Sequence, residues 1–134
     1  PVVLHRVLLV DDEPVNRKLC RLLLEAEGIL CEEAEHGAQA LEMVYHGRFD
    51  VVLLDIDMPV LTGTETLKKL REAPPCPHLK IIMVSGRSTP DEMAQVMLAG
   101  ADDYIAKPFS NLQIQARVKA AMRLKDAQAR KVEK

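Results

Sequence analysis

The chain has 134 residues, 48% of them hydrophobic and 28% charged, which is the size and balance of one globular domain around one core. A formal charge of -2 and a sequence pI near 6.1 give no support to nucleic acid or an anionic membrane as the main partner, and 3% aromatic residues without Trp leave little to stack on bases. No apolar run reaches the length of a membrane span and the first residues do not form a signal peptide, so a cytoplasmic protein is expected. Val7-Leu8-Leu9-Val10 is a short apolar run, read as a first buried strand, and it ends in Asp11-Asp12-Glu13. From Pro14 the period changes to that of a helix, with Val15, Leu19, Leu22, Leu23 and Ala26 as its apolar face, Pro14 in the first turn and Gly28 at the stop. Residues 29–34 form a weaker strand, and Ala40, Leu41, Val44 and Tyr45 share a helical face before Gly47.

Val51-Val52-Leu53-Leu54 is the clearest strand, buried on both faces, and it ends in Asp55-Ile56-Asp57-Met58-Pro59. Leu67 and Leu70 support a helix, which Ala73-Pro74-Pro75-Cys76-Pro77 breaks. Ile81-Ile82-Met83-Val84 leads into Ser85-Gly86, and Thr89-Pro90-Asp91-Glu92 supplies an N-cap, a first-turn Pro and the Glu of a capping box for a fourth helix running to Gly100. Tyr104-Ile105-Ala106 is a fifth strand ending in Lys107-Pro108-Phe109, and Ser110-Asn111-Leu112-Gln113 opens a helix with the stripe Ile114, Val118, Ala121 and Met122. Strands alternating with helices over short loops call for a parallel sheet covered on both faces. The domain is expected over residues 1–124, and residues 125–134, rich in helix formers but with only Val132 strongly apolar, read as a solvated helical extension or a truncated linker. The absence of a starting Met points the same way, to a piece of a longer protein.

Most common chemical motifs are missing. Cys20, Cys31 and Cys76 are scattered and read as small hydrophobes, and His5, His36, His46 and His78 lack zinc-ligand spacing. No phosphate-cradling glycine loop and no nucleophile elbow is present. The residue after each long strand does stand out: Asp11 and Asp12, Asp55, Ser85 and Lys107 all fall at carboxyl ends, the edge where open α/β sheets bind ligands. With a flavodoxin-like strand order of 2-1-3-4-5 the three acids converge. Their charge of -3, offset by Lys107 to -2, favours a divalent cation that seeks oxygen, Mg2+ first. A nucleophilic oxygen, a metal, a fixed cation and a hydroxyl are together the parts of phosphoryl transfer.

Those motifs resemble the receiver domains of two-component response regulators over roughly residues 5 to 124. Leu9-Val10-Asp11-Asp12-Glu13 is similar to the family's acidic pair, Asp55-Ile56-Asp57-Met58-Pro59 with Gly63 to its phosphoacceptor loop, Val84-Ser85-Gly86 to its switch hydroxyl, and residues 103–109 to its closing motif. The resemblance implies a doubly wound five-stranded sheet with five helices, the last extended. It implies that Asp55 accepts a phosphoryl group from the phosphohistidine of a sensor histidine kinase or phosphotransfer protein. By the same resemblance Asp12 and Asp55 bind Mg2+ directly with the backbone carbonyl of Asp57, and Asp11 acts mostly through water. Lys107, preceding a cis proline at Pro108, pairs with the phosphoryl oxygens. Ser85 and Tyr104 move as a switch, the fourth helix, fifth strand and fifth helix change packing, and an output domain outside these residues or a phosphorylation-dependent second copy responds.

Two other readings use the same residues. Asp55-Ile56-Asp57 resembles the D-x-D of haloacid-dehalogenase-type phosphohydrolases, in which the first acid is a nucleophile, although that family places D-x-D near its start and carries a cap domain. A degenerate receiver acting only as an interaction module would be expected to lack one of the charged residues, all of which are present here.

Overall fold

In the computed structural model, which describes residues 4–86 and 89–132, the short apolar runs become the strands of one parallel sheet. In chain order these are β1 (Arg6–Val10), β2 (Leu30–Ala34), β3 (Val51–Asp55), β4 (Lys80–Ser85) and β5 (Asp103–Ala106). They alternate with α1 (Pro14–Glu25), α2 (Gly37–His46), α3 (Gly63–Glu72), α4 (Pro90–Leu98) and α5 (Asn111–Val132). The order across the sheet is β2-β1-β3-β4-β5, the doubly wound arrangement expected from the alternation. Its switch point lies between β1 and β3.

Successive side chains leave the sheet on opposite faces, and this alternation divides the core in two. Leu8, Val10, Val52, Leu54, Ile81 and Met83 pack on the side that carries Ala40, Val44, Leu67, Leu70 and Val96 of α2, α3 and α4. Val7, Leu9, Val51, Leu53, Ile82 and Val84 face Cys20 and Leu24 of α1 and Ile114, Val118 and Met122 of α5. The expected α5 stripe is thus the buried one. Thr62 caps α3 through a complete capping box with Glu65, and Gly28 ends the α1 region in the left-handed conformation at φ 78 that glycine tolerates.

Helix α1 corrects the sequence reading. Its buried residues are Arg17, Cys20 and Leu24, whereas Val15, Leu19 and Leu22 are 78%, 48% and 67% exposed and Ala26 is also exposed. The helix offers two apolar stripes, and its rotation about its own axis is set by polar contacts at its start. The Arg17 guanidinium reaches Glu33 on β2 and the Asp11 carbonyl, which turns the Cys20 and Leu24 side inward.

The end of α5 also differs from a solvated tail. Residues 125–129 are half-buried, because their polar groups meet charges at the amino edge of the sheet. Lys125 bonds to Asp50, Asp126 lies 2.9 Å from His5, and Gln128 accepts a hydrogen bond from Lys80, the first residue of β4. Lys80 is only 5% exposed, and its nearest carboxylate, Asp102, stands 3.8 Å away. Leaving a buried polar group short of a partner costs about 1–3 kcal/mol, and more when it is charged.

Gln128→Ala should therefore lower stability by about 1–2 kcal/mol, read as a reduced urea midpoint at unchanged slope. Adding the same change to Lys80→Met should cost clearly less. Fully additive losses would show that the two side chains are not coupled.

Candidate functional site

The site is assembled by strand register. Val10 pairs with Leu54, so Asp11, which comes directly after β1, and Asp55, which ends β3, emerge side by side. Ser85 pairs with Ala106, so Lys107 leaves β5 beside the end of β4, and its N–H donates to the Ser85 carbonyl at 2.8 Å. The Lys107–Pro108 peptide is cis. The β3–α3 loop folds directly over Asp55: a Cβ on Gly63 would lie 2.1 Å from the Asp55 carbonyl oxygen, so this approach requires glycine.

Four of the charged residues anticipated at this edge converge. Carboxylate oxygens of Asp11, Asp12 and Asp55 lie within 4.8 Å of one another. The Lys107 ammonium stands 3.3 Å from Asp55 Oδ2 and 3.7 Å from Asp11 Oδ2. Asp55 is 5% exposed and its Oδ1 accepts the Asp57 N–H at 3.0 Å. Asp57 thus meets Asp55 through its backbone, while the residue itself is exposed. Asp12 is exposed as well, which leaves its carboxylate open to an incoming cation. A donor set of carboxylate oxygens suits a hard divalent ion such as Mg2+.

The electrostatics arise from burial. Desolvation pushes the Asp55 carboxyl up from the ordinary 3.8 to about 6; Lys107 opposes the rise and Asp11 adds to it. Burial acts against the charged form of Lys107, yet Asp55 and Asp11 together raise its pKa. The pair is held charged by mutual contact in a place where neither charge would otherwise be favoured.

Around this centre, Ser85 is fully buried and its hydroxyl lies 3.3 Å from Glu92 Oε1 on α4. Glu92 therefore links the end of β4 to the helix beyond it. Tyr104 is 7% exposed, within the cluster beneath α2, α3 and α4. A groove of about 400 Å³ opens between α1 and the β5–α5 loop, with Leu9, Leu53, Leu19, Cys20 and Phe109 among its apolar walls and Asp11, Asp55 and Lys107 among its polar ones. Burial pushes the Cys20 thiol up to about 11, so its sulfur stays protonated there. Arg17 lines the same groove and was not anticipated, since an arginine between apolar helical positions carries no signal of burial.

The profile of the response regulator receiver domain family matches residues 7–119. The transcriptional regulatory protein ResD of Bacillus subtilis is 39% identical over 118 residues, covering 88% of this chain and 48% of that protein. SrrA of Staphylococcus aureus is 36% identical over 119 residues, again covering 48% of the relative. The chain thus spans about half the length of the curated relatives it matches. Among solved structures, a CheY-like receiver domain protein from Methanospirillum hungatei aligns with a TM-score of 0.87 at 30% identity, over 94% of this chain and 99% of its own. The response regulator TrrA of Thermotoga maritima, solved in complex with Mg2+-BeF, aligns with a TM-score of 0.79 at 34% identity, over 87% and 98%. Among the described residues no helix is long and apolar enough to cross a membrane.

The raised Asp55 pKa has a measurable consequence. Between the ordinary carboxylate range and about 6 the folded chain holds a proton that the unfolded chain has released, so stability falls as pH rises through that window. Asp55→Asn removes the titration, and without divalent cations it should unfold at higher denaturant than wild type at pH 7.5, by about 1–3 kcal/mol. Below about pH 4 the two chains should converge. A variant no more stable than wild type at neutral pH would contradict the electrostatic account.

Proposed function

The chain belongs to the response regulator receiver domains, and from that premise we propose that it is a phosphorylation switch in which Asp55 accepts a phosphoryl group from a histidine kinase or phosphotransfer protein. The observation that carries this reading is the convergence of Asp11, Asp12 and Asp55 with Lys107 on one sheet edge. Asp12, Asp55 and the backbone carbonyl of Asp57 would hold Mg2+, with Asp11 assisting through water. When bound, Mg2+ supplies positive charge to the oxygens of the transferring phosphoryl group.

A carboxylate oxygen of Asp55 attacks phosphorus while the P–N bond of the donor phosphohistidine breaks and the protonated ring departs as neutral imidazole. Lys107, already 3.3 Å from Asp55, takes one of the phosphoryl oxygens as its partner. The hydroxyl of Ser85 turns from Glu92 toward another, which frees Glu92 and with it the start of α4. Tyr104, on the strand between α4 and α5, fills the space that results. Phosphate contacts therefore favour one of two packings of α4, β5 and α5. On α4 the exposed Met97 and Leu98 form the surface from which an output domain or a second copy reads the state, and the end of α5 from Lys125 to Val132 carries the change onward as a helical connection. The donor docks on α1, whose exposed Val15, Leu19 and Leu22 lead up to the acidic loop. An exposed apolar stripe of this kind is a surface that a partner can cover.

The direct test is incubation with Mg2+ and a small acyl phosphate, with intact mass as the readout. Wild type should gain one labile phosphoryl group and Asp55→Asn none. Equal gain in both would move the acceptor elsewhere, and no gain in either, with kinase-bound phosphohistidine also refused, would leave an interaction module.

Asp57 stands two residues past the acceptor, exposed and negatively charged where water must approach the aspartyl phosphate. Asp57→Asn should change the half-life of the phosphorylated chain by severalfold, measured by the decay of the phosphorylated mass. An unchanged half-life would remove Asp57 from the hydrolytic step.

A further inference from the structure

Helix α1 buries Cys20 and Leu24, but its first turns do the opposite of what hydrophobic burial selects. It turns Val15 and Leu19 to solvent and draws the charged Arg17 between them into the protein, where it is 7% exposed. Burying a guanidinium is costly unless its donors are matched, and here they are matched to one purpose. Arg17 Nη1 donates to the backbone carbonyl of Asp11 at 2.6 Å, and Nε donates to Glu33 Oε1 at 3.1 Å. Arg21 holds the other Glu33 oxygen at 2.9 Å without touching Asp11. The Asp11 N–H meanwhile donates to the carbonyl of Ala34, the residue after Glu33 on β2, at 3.2 Å. Both backbone polar groups of Asp11 are thus tied to consecutive residues of β2, one directly and one through Arg17.

This matters because the loop carries like charges toward a like charge. With Lys107 as their counter-ion among the described residues, Asp11 and Asp12 are repelled by Asp55, and a free loop would swing outward until the carboxylates separated. We propose that Arg17, clamped by Glu33, is a positioning residue for the divalent-cation site: it fixes the peptide between Asp11 and Asp12 so that the carboxylates already converge on Asp55 before the cation arrives. The inference rests on the phosphoacceptor reading above and assigns to it a residue outside the acidic constellation. Arginine is required because its planar fork meets two acceptors in fixed directions, which one ammonium cannot do. Glu33 is held in its charged form, since its hydrogen bonds from Arg21 and Arg17 outweigh a burial effect that would raise its pKa.

The test is calorimetric titration of the full chain with Mg2+, with thermal unfolding of the same samples in EDTA as a separate readout. Partners that orient metal ligands typically change affinity 10–100-fold, so Arg17→Ala should weaken Mg2+ binding about tenfold or more. Arg17→Lys should lose most of the same factor despite keeping the charge, and Glu33→Gln an intermediate one. Arg21→Ala, which loosens Glu33 but leaves the Asp11 contact, should stay within about twofold of wild type. If Arg17→Ala does not fold, the lysine and Glu33 variants decide the matter. Wild-type affinity in folded Arg17→Lys and Glu33→Gln, or an equal loss in Arg21→Ala, would overturn the assignment. A wild-type chain that binds no Mg2+ at millimolar concentration would instead overturn the phosphoacceptor reading itself.

Discussion

Three carboxylates meet on one sheet edge with the Lys107 ammonium among them, and the surrounding structure has to sustain that arrangement. Left alone, such a cluster would relieve itself by moving apart or by taking up protons, and Asp55 with its pKa near 6 shows how close the second outcome lies. Movement is denied by the sheet. Asp55 is the last residue of a strand buried on both faces, and Asp11 comes directly after a strand paired with it in register. Gly63 lets the next loop close over the Asp55 carbonyl, and Arg17 ties the Asp11 carbonyl to β2. The acids are thus held close together by the fold, a configuration that added positive charge would relieve.

The same rigidity bears on how the proposed switch would be sensed at a distance. A sheet with well-packed clusters on both faces does not deform continuously, so a phosphoryl group placed on Asp55 would act on the parts that can exchange partners. Lys107 is one, because its ammonium already divides itself between two carboxylates. Ser85 is the other, because its hydroxyl sits within reach of Glu92 on the neighbouring helix. Both residues lie at the ends of β4 and β5, and α4 and α5 are the helices attached there.

Much of this was legible in the sequence because it depends on short-range signals. Apolar runs of four residues mark strands buried on both faces, and the polar residue closing each run must lie at the carboxyl edge of a parallel sheet. Asp11, Asp12, Asp55, Ser85 and Lys107 could therefore be placed together once the strand order was inferred. The azimuth of α1 could not be read in the same way. Periodicity finds a helix with apolar stripes but does not say which stripe is turned inward, and here the choice is made by Arg17 bonding to Glu33, a residue on the neighbouring strand. Polar anchors between distant segments carry no periodic signal. The same is true of the end of α5, where Lys125, Asp126 and Gln128 look like solvated helix surface until the amino edge of the sheet supplies Asp50, His5 and Lys80.

That second, amino-edge network bears on how the two ends of the domain communicate. β4 begins at Lys80 and ends at Ser85, so one strand carries at its two termini the partner of Gln128 and the hydroxyl beside Glu92. α5 runs back across the sheet from the loop that holds Lys107 to the edge where Gln128, Lys125 and Asp126 dock. β4 is therefore joined at one end to the loop that leads into α5, by Lys107 N–H to the Ser85 carbonyl, and at the other to α5 itself, by Lys80 to Gln128. A shift of the β5–α5 loop relative to β4 cannot be absorbed by a loose helix end, because that end is fixed to the same strand.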